Sequence, residues 1–254
     1  MDILDDMGRT ARHRRLGSFL ITCLILFFTS TLALAADTPD ANELADRLLS
    51  DSKIQGGLVI HVGCDDGRLS AALHRNDRFT VHALCTDERA VQRARRHVRS
   101  QGLYGEVSVR RWNQSWLPYV GNLADLIVVE KADAVSASEV MRVLSPGSKA
   151  CTRRDGRWDI KRKEWPADID EWTHYLHGPD NNAVAQDTRV DKPFHLQWVG
   201  KPRQARHHEH LASISASVTA NGRTFDIEDQ APAASILFPA RWKLVARDSF
   251  NGTL

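Results

Sequence analysis

Between Gly57 and Thr152, short apolar runs alternate with stretches of helical spacing, and no other feature restricts the fold of this chain as much. Gly57-Leu58-Val59-Ile60-His61-Val62-Gly63 reads as a first strand ending in a tight turn, and Leu69 to Leu73 as the start of a helix. Phe79 to Cys85 is a second strand, after which Ala90, Val91, Ala94 and Val98 recur at helical spacing up to a stop at Gly102. Val107 to Arg111 and Leu123 to Val129 are a third and a fourth strand. Ser138 to Leu144 is a helix stopped by Ser145-Pro146-Gly147, and Lys149 to Thr152 begins a fifth strand. Such alternation predicts an α/β domain over residues 41–160 with a doubly wound, mostly parallel sheet. Arg154-Asp155-Gly156 then turns the chain back through Trp158 to Ile160 as a hairpin.

Ligands of such sheets sit outside the carboxyl ends of the strands, near the point where strand order reverses. Gly63 to Gly67, Asp87 and Asn113 all fall at strand ends. A glycine turn lets a ligand approach the backbone without a Cβ clash. A carboxylate ending the second strand can accept both hydroxyls of a ribose, and Asp87 follows Gly63 by 24 residues, the spacing of a strand–helix–strand unit. The plain alternative is that the glycines only make a turn and Asp87 only caps the next helix. The dinucleotide fingerprint G-x-G-x-x-G would need glycine at positions 65 and 68, which hold Asp65 and Arg68, so a nicotinamide oxidoreductase is disfavoured.

The segment from 41 to 152 resembles class I S-adenosylmethionine-dependent methyltransferases. Val59 to Gly67 looks like their first motif, with Gly63 and Gly67 as the outer glycines. Asn113-Gln114-Ser115-Trp116-Leu117-Pro118 looks like the segment after strand three, Ala124 to Val129 like strand four, and Glu139 to Gly147 like the helix and turn before strand five. The resemblance implies a Rossmann-like methyltransferase fold in a bacterial protein. It implies S-adenosylmethionine as the cofactor, an unidentified methyl acceptor, and Gly63, Cys64, Asp65, Gly67, Asp87, Asn113 and Gln114 as the cofactor-binding residues; no catalytic residue follows from it. The chain departs from the pattern at Asp65 (the middle glycine), His61 (an acid), Asn113 (an acid) and Ser148 (a glycine). Asp65 could repel the carboxylate of the ligand.

Arg9, Arg12, Arg14 and Arg15 precede an uncharged stretch from Leu16 to Ala35 that ends in Ala33-Leu34-Ala35-Ala36. This is the pattern of a secretory signal, cleaved near Ala35 or Ala36. A run of this length could also anchor the chain in a membrane through residues 16–35. The expected location is therefore exported to the periplasm or anchored in the inner membrane. Without residues 1–36 the chain keeps 30 basic and 29 acidic side chains, and nothing in that balance calls for nucleic acid. Cys64, Cys85 and Cys151 remain, an odd number without C-x-x-C spacing, so neither a disulfide framework nor a zinc site is expected.

After Lys161 the alternation stops. Lys161 to Pro166 reads as the start of a linker or lead-in over 161–190. Phe194 to Val199, Ser213 to Ala220, Arg223 to Ile227, Ile236 to Phe238 and Trp242 to Arg247 read as strands, with Asn221-Gly222 as a hairpin turn. Asp170 to His177 and Leu244 to Leu254 resemble the lead-in and repeat signature of quinoprotein-like β-propellers with PQQ-type repeats. That likeness implies a β-rich, incomplete propeller over 191–254, the front of a longer protein, with a protein or carbohydrate partner as an alternative to the methyl acceptor. A propeller closes with about 4–8 blades, so no quinone cofactor is expected. His207-His208-Glu209-His210 and the pair His174 and His177 lack metal-site spacing, and no metal is expected.

Fusing residues 1–36 to a reporter that is active only outside the cytosol tests the export signal. Reporter activity is the expected outcome; a stable but inactive cytosolic fusion would refute it.

Overall fold

The structure, a computed structural model, describes residues 40–190, 192, 194–201, 214–232, 234 and 237–254. Residues 1–36, where an export signal is expected, and the His207–His210 cluster lie outside the described residues. Residues Ala41–Leu254 make one compact unit.

Six strands form the main sheet: β1 (Gly57–Val62), β2 (Phe79–Cys85), β3 (Val107–Arg111), β4 (Ala124–Val129), β5 (Leu144–Arg154) and β6 (Arg157–Arg162). Their order is β3-β2-β1-β4-β5-β6. The first five are parallel, and β6 returns antiparallel to β5. This is a Rossmann-like, doubly wound sheet whose order reverses between β1 and β4.

Burial on both faces explains the unbroken apolar runs. Val59, Val81, Leu126 and Val128 point to one side, against α1 (Ala41–Ser52), α2 (Arg68–Leu73) and α3 (Glu88–Ser100). Ile60, Val62, Leu84, Ile127 and Val129 point to the other, against α4 (Ala137–Val143) and the loop that holds Trp112 and Leu117. The sequence reading assigned nothing to α1, whose buried stripe is only Ala45, Leu48, Leu49 and Ser52. Helix α3 ends where the glycine predicted. Gly102 N–H bonds Arg99 O and Leu103 N–H bonds Val98 O, the paired bonds of a Schellman stop.

Ser145-Pro146-Gly147 proves not to be a separate turn. It lies inside β5, where the pairing with β4 shifts register between Ala124 and Leu126. The side chain of Lys163 donates to Leu144 O at 2.7 Å and to Asn122 Oδ1 at 2.6 Å, bridging the irregular stretch. Lys161 and Arg162 belong to β6, whose hairpin turns at Asp155 and Gly156, both at positive φ.

A second, antiparallel sheet has the order β7 (Ile214–Ala220), β8 (Arg223–Asp229), β9 (Trp242–Asp248). Asn221 and Gly222 make the β7–β8 turn at φ 51° and 71°, the primed geometry. No propeller ring is formed by the described residues. Phe194 to Val199 is not a strand. Side chains fix that segment instead: Trp198 Nε1–H donates to Ser249 O and Gln197 to Gly121 O. Leu237 and Phe238 sit in a turn, and Ile236 lies outside the described residues.

The Asp248–Thr253 turn docks on the amino-terminal end of β4. Asn251 Nδ2 donates to Asp125 Oδ2 at 2.7 Å and to Leu123 O at 3.0 Å, while Asn251 Oδ1 accepts from the Thr253 N–H and hydroxyl. Asp125 Oδ2 also accepts from Leu58 N–H at 2.7 Å. Burial, with Asp248 nearby, pushes the Asp125 carboxyl up to about 7. A carboxyl raised in the folded state stabilises below its unfolded value near 3.8, and that stability is lost as pH climbs through about 7. Asp125→Asn keeps the acceptor oxygen and removes the titration. Thermal unfolding of both forms should show the wild type losing on the order of 2–4 kcal/mol relative to the variant between pH 4 and 8. Parallel curves would refute this.

Candidate functional site

The site is built where β1, β2 and β4 end. Gly63 closes β1 at φ 93°, and the N–H groups of Gly63 and Cys64 both donate to Leu84 O, at 2.9 and 3.1 Å. Gly67 starts α2 at φ 83°, and a Cβ there would lie 2.8 Å from the Cα of Ala94. The glycine turn is therefore pressed against α3 and admits no side chain at its end.

Cys64 and Cys85 are joined by a disulfide, with their Cα atoms 4.7 Å apart. This corrects the expectation that no disulfide would form. The two cysteines stand 21 residues apart in sequence but end adjacent parallel strands. Cys151 stays a free, buried thiol, and desolvation pushes it up to about 12, so it is inert as a nucleophile.

Asp65 is exposed and ion-paired to Arg93 of α3. Asp87 serves as the helix cap of the plain alternative: its Oδ1 accepts from Ala90 N–H at 2.8 Å, and that bond holds its carboxyl below the usual range. The Arg89 N–H and the guanidinium groups of Arg89 and Arg93 lower it further. Asn113 and Gln114 are exposed in the loop after β3. That loop is tied down on both sides, by Trp112 N–H to Cys85 O at 2.8 Å and by Leu117 N–H to Glu139 Oε1 at 2.7 Å. The structure thus brings the glycine turn and the end of β2 together through the disulfide, with Asn113 and Gln114 one strand further out.

Glu130, the first residue after β4, was not singled out from sequence. A Cβ on Gly63 would come within 3.4 Å of the Glu130 Cβ, so the two residues are neighbours across the β1–β4 reversal. His61, 1% exposed, places Nε2 3.0 Å from Glu130 Oε1 and Nδ1 2.8 Å from Ser70 Oγ. The usable signal was positional: a carboxylate following a fully apolar strand at the switch point. On the far side of β2, the Tyr119 hydroxyl and His82 Nδ1 share a hydrogen bond at 2.7 Å, and burial lowers the pKa of His82. Among the described residues no group of three or more His, Cys, Asp or Glu side chains gathers as a metal site.

No family model matches the chain, and no curated protein matches it. Among solved structures, it is similar to a SAM-dependent methyltransferase from Aquifex aeolicus, with 22% identity over 47% of this chain and 72% of that one and a TM-score of 0.40. It is also similar to geranyl diphosphate C-methyltransferase from Streptomyces coelicolor A3(2), with 20% identity over 43% and 44% and a TM-score of 0.40. A third is the [4+2]-cyclase SpnF, with 23% identity over 46% and 47% and a TM-score of 0.40. The chain spans about half the length of the latter two. At this level of likeness the fold assignment stands on the strand order itself.

The disulfide closes a loop of about twenty residues, a constraint worth about 3 kcal/mol. The double substitution Cys64→Ser and Cys85→Ser should lower the melting temperature by about 6–12 °C in calorimetry. An unchanged melting temperature would show that the bond adds nothing to the folded state.

Proposed function

We propose that the chain carries an exported or membrane-anchored, methyltransferase-like domain that binds S-adenosylmethionine, or its demethylated product, at the carboxyl ends of β1 and β2. One observation carries this reading. The Gly63 turn and the Asp87 carboxylate are fastened side by side through Cys64–Cys85, next to the reversal of strand order. The residues fit the group: Gly63 offers bare backbone, the Asp87 carboxylate stands at the end of β2 where ribose hydroxyls would meet it, and Asp65 pairs with Arg93. Asn113 and Gln114 would reach the base. Bound there, S-adenosylmethionine supplies an electrophilic methyl group on a sulfonium. The protein's share of such chemistry is mainly to orient the partners. A disulfide also suits an oxidising compartment, in keeping with the export signal expected over residues 1–36.

A second reading is a non-catalytic exported scaffold that presents β7–β9 to a protein or carbohydrate partner, as the opening blade of a propeller. It is supported by one face of that sheet, where Ile227 pairs with Leu244 and Leu244 is 70% exposed.

Calorimetric titration of the full chain with S-adenosylmethionine and with S-adenosylhomocysteine separates the two. Saturable binding supports the first reading, and no heat from either ligand favours the scaffold. Asp87→Asn preserves the helix cap but removes the charge that the ribose would meet. It should weaken binding about ten- to a hundredfold, the worth of hydrogen bonds to a charged group. Binding unaffected by this change would place the ligand elsewhere.

A further inference from the structure

One oxygen of Asp125 joins the two sheets. Oδ2 accepts from Leu58 N–H of the main sheet and from Asn251 Nδ2 of the Asp248–Thr253 turn, each at 2.7 Å. It lies so close over Gly57 that a Cβ there would overlap the carboxyl. Asp248 stands on the turn side of this junction, where its Oδ1 accepts from the N–H groups of Phe250 and Asn251 at 2.8 and 3.1 Å. Among the described residues, neither Asp125 nor Asp248 takes part in a salt bridge. A cavity of about 320 Å³ adjoins both, lined also by Gln55, Arg78, Arg223 and Leu254. The charged side chains facing Asp125 are therefore Asp248 and Arg223 from the second sheet and Arg78 from the segment ahead of β2. Two carboxyls without an ion pair resist being charged together where water is partly excluded. Desolvation, and then the charge of Asp248, hold the Asp125 carboxyl up at about 7 against the opposite pull of Leu58 N–H, Asn251 and Arg223.

We propose that this junction is a pH-operated latch: the Asp248–Thr253 turn rests on β4 while Asp125 is a neutral acid, and it lifts away once Asp125 has given its proton to water. The two partners of Asp125 differ in how freely they can leave. Leu58 belongs to β1, which is paired on both sides, with β2 and with β4. The turn is closed on itself, with Asp248 N–H bonded to Thr253 O at 2.8 Å and Gly252 N–H to Asp248 O at 2.9 Å, so it departs as a unit. Its departure takes the Asp248 charge away and lets water reach the new carboxylate. The latch does not depend on the adenosyl reading, because it lies at the opposite end of the sheet from the glycine turn.

The full chain labelled with 5-fluorotryptophan reads the latch through its ¹⁹F resonances. Trp165 packs edge-on against Phe250, and Trp198 Nε1–H donates to Ser249 O at 2.9 Å, so both rings sense where the turn sits. Trp112, buried in the core beside α4, is the control. Raising the pH from 5 to 8 should move the Trp165 and Trp198 signals toward their positions in Asn251→Ala, where the latch is already open, and leave Trp112 in place. An acid held near 7 when docked and near 3.8 when free changes the opening constant tenfold per pH unit between those values. The constant should therefore rise about ten- to a hundredfold from pH 5 to pH 8, the lower figure applying if the main sheet alone supplies much of the desolvation. In Asp125→Asn both signals should stay docked throughout. Unmoved Trp165 and Trp198 signals in the wild type, or the same movement in Asp125→Asn, overturns the latch. Movement of Trp112 along with them shows that the whole domain loosens, which also overturns it. If Asn251→Ala does not fold, the comparison of wild type with Asp125→Asn decides alone.

Discussion

Two-sided burial of β1 and β4 is the constraint on which everything else in this molecule rests. Val59, Ile60 and Val62 on one strand and Leu126 to Val129 on the other are fully removed from solvent, with alternate side chains feeding separate cores above and below the sheet. Each such side chain contributes about 1.5–3 kcal/mol by leaving water. These two strands also flank the reversal of strand order, so the floor beneath Gly63 and Glu130 is the doubly covered centre of the sheet. The candidate chemistry sits at the ends of these buried strands.

Polar groups near that floor are few, and they are paired. His61 occupies a position inside the apolar sheet and is accommodated because Ser70 and Glu130 satisfy both ring nitrogens. At the opposite end of β4, Asp125 is accommodated by the Leu58 N–H and the Asn251 amide. A buried polar group without a partner would cost about 1–3 kcal/mol. The strand is thus bracketed by one histidine network at the ligand end and one carboxyl network at the end where the second sheet docks.

How much of this was legible in the sequence follows from the kind of burial involved. Strands β1 to β4 showed themselves because two covered faces demand unbroken apolar runs such as Leu58 to Val62. The glycine turn and Asp87 were legible for the same reason, since they punctuate those runs. Helix α1 was missed because a four-residue stripe set among charges has little contrast. Phe194, Leu196 and Trp198 alternate as a strand would, yet Phe194 and Leu196 are 85% and 80% exposed and no strand among the described residues pairs with them. Alternation marks a strand only when one face finds a core. The Cys64–Cys85 bond was hidden for a different reason: counting cysteines cannot reveal which strands lie side by side. Glu130 was hidden because its partner, His61, is remote in sequence and joined to it only across the β1–β4 pair.

Among the described residues, the outer strands of the main sheet, β3 and β6, are its edges. β3 ends in Arg110 and Arg111; β6 carries Arg157, Lys161 and Arg162. Two copies approaching edge to edge would bring like charges together along the line where backbone pairing must begin, a standard protection of open sheets. The six-stranded sheet is thereby discouraged from growing into its neighbours.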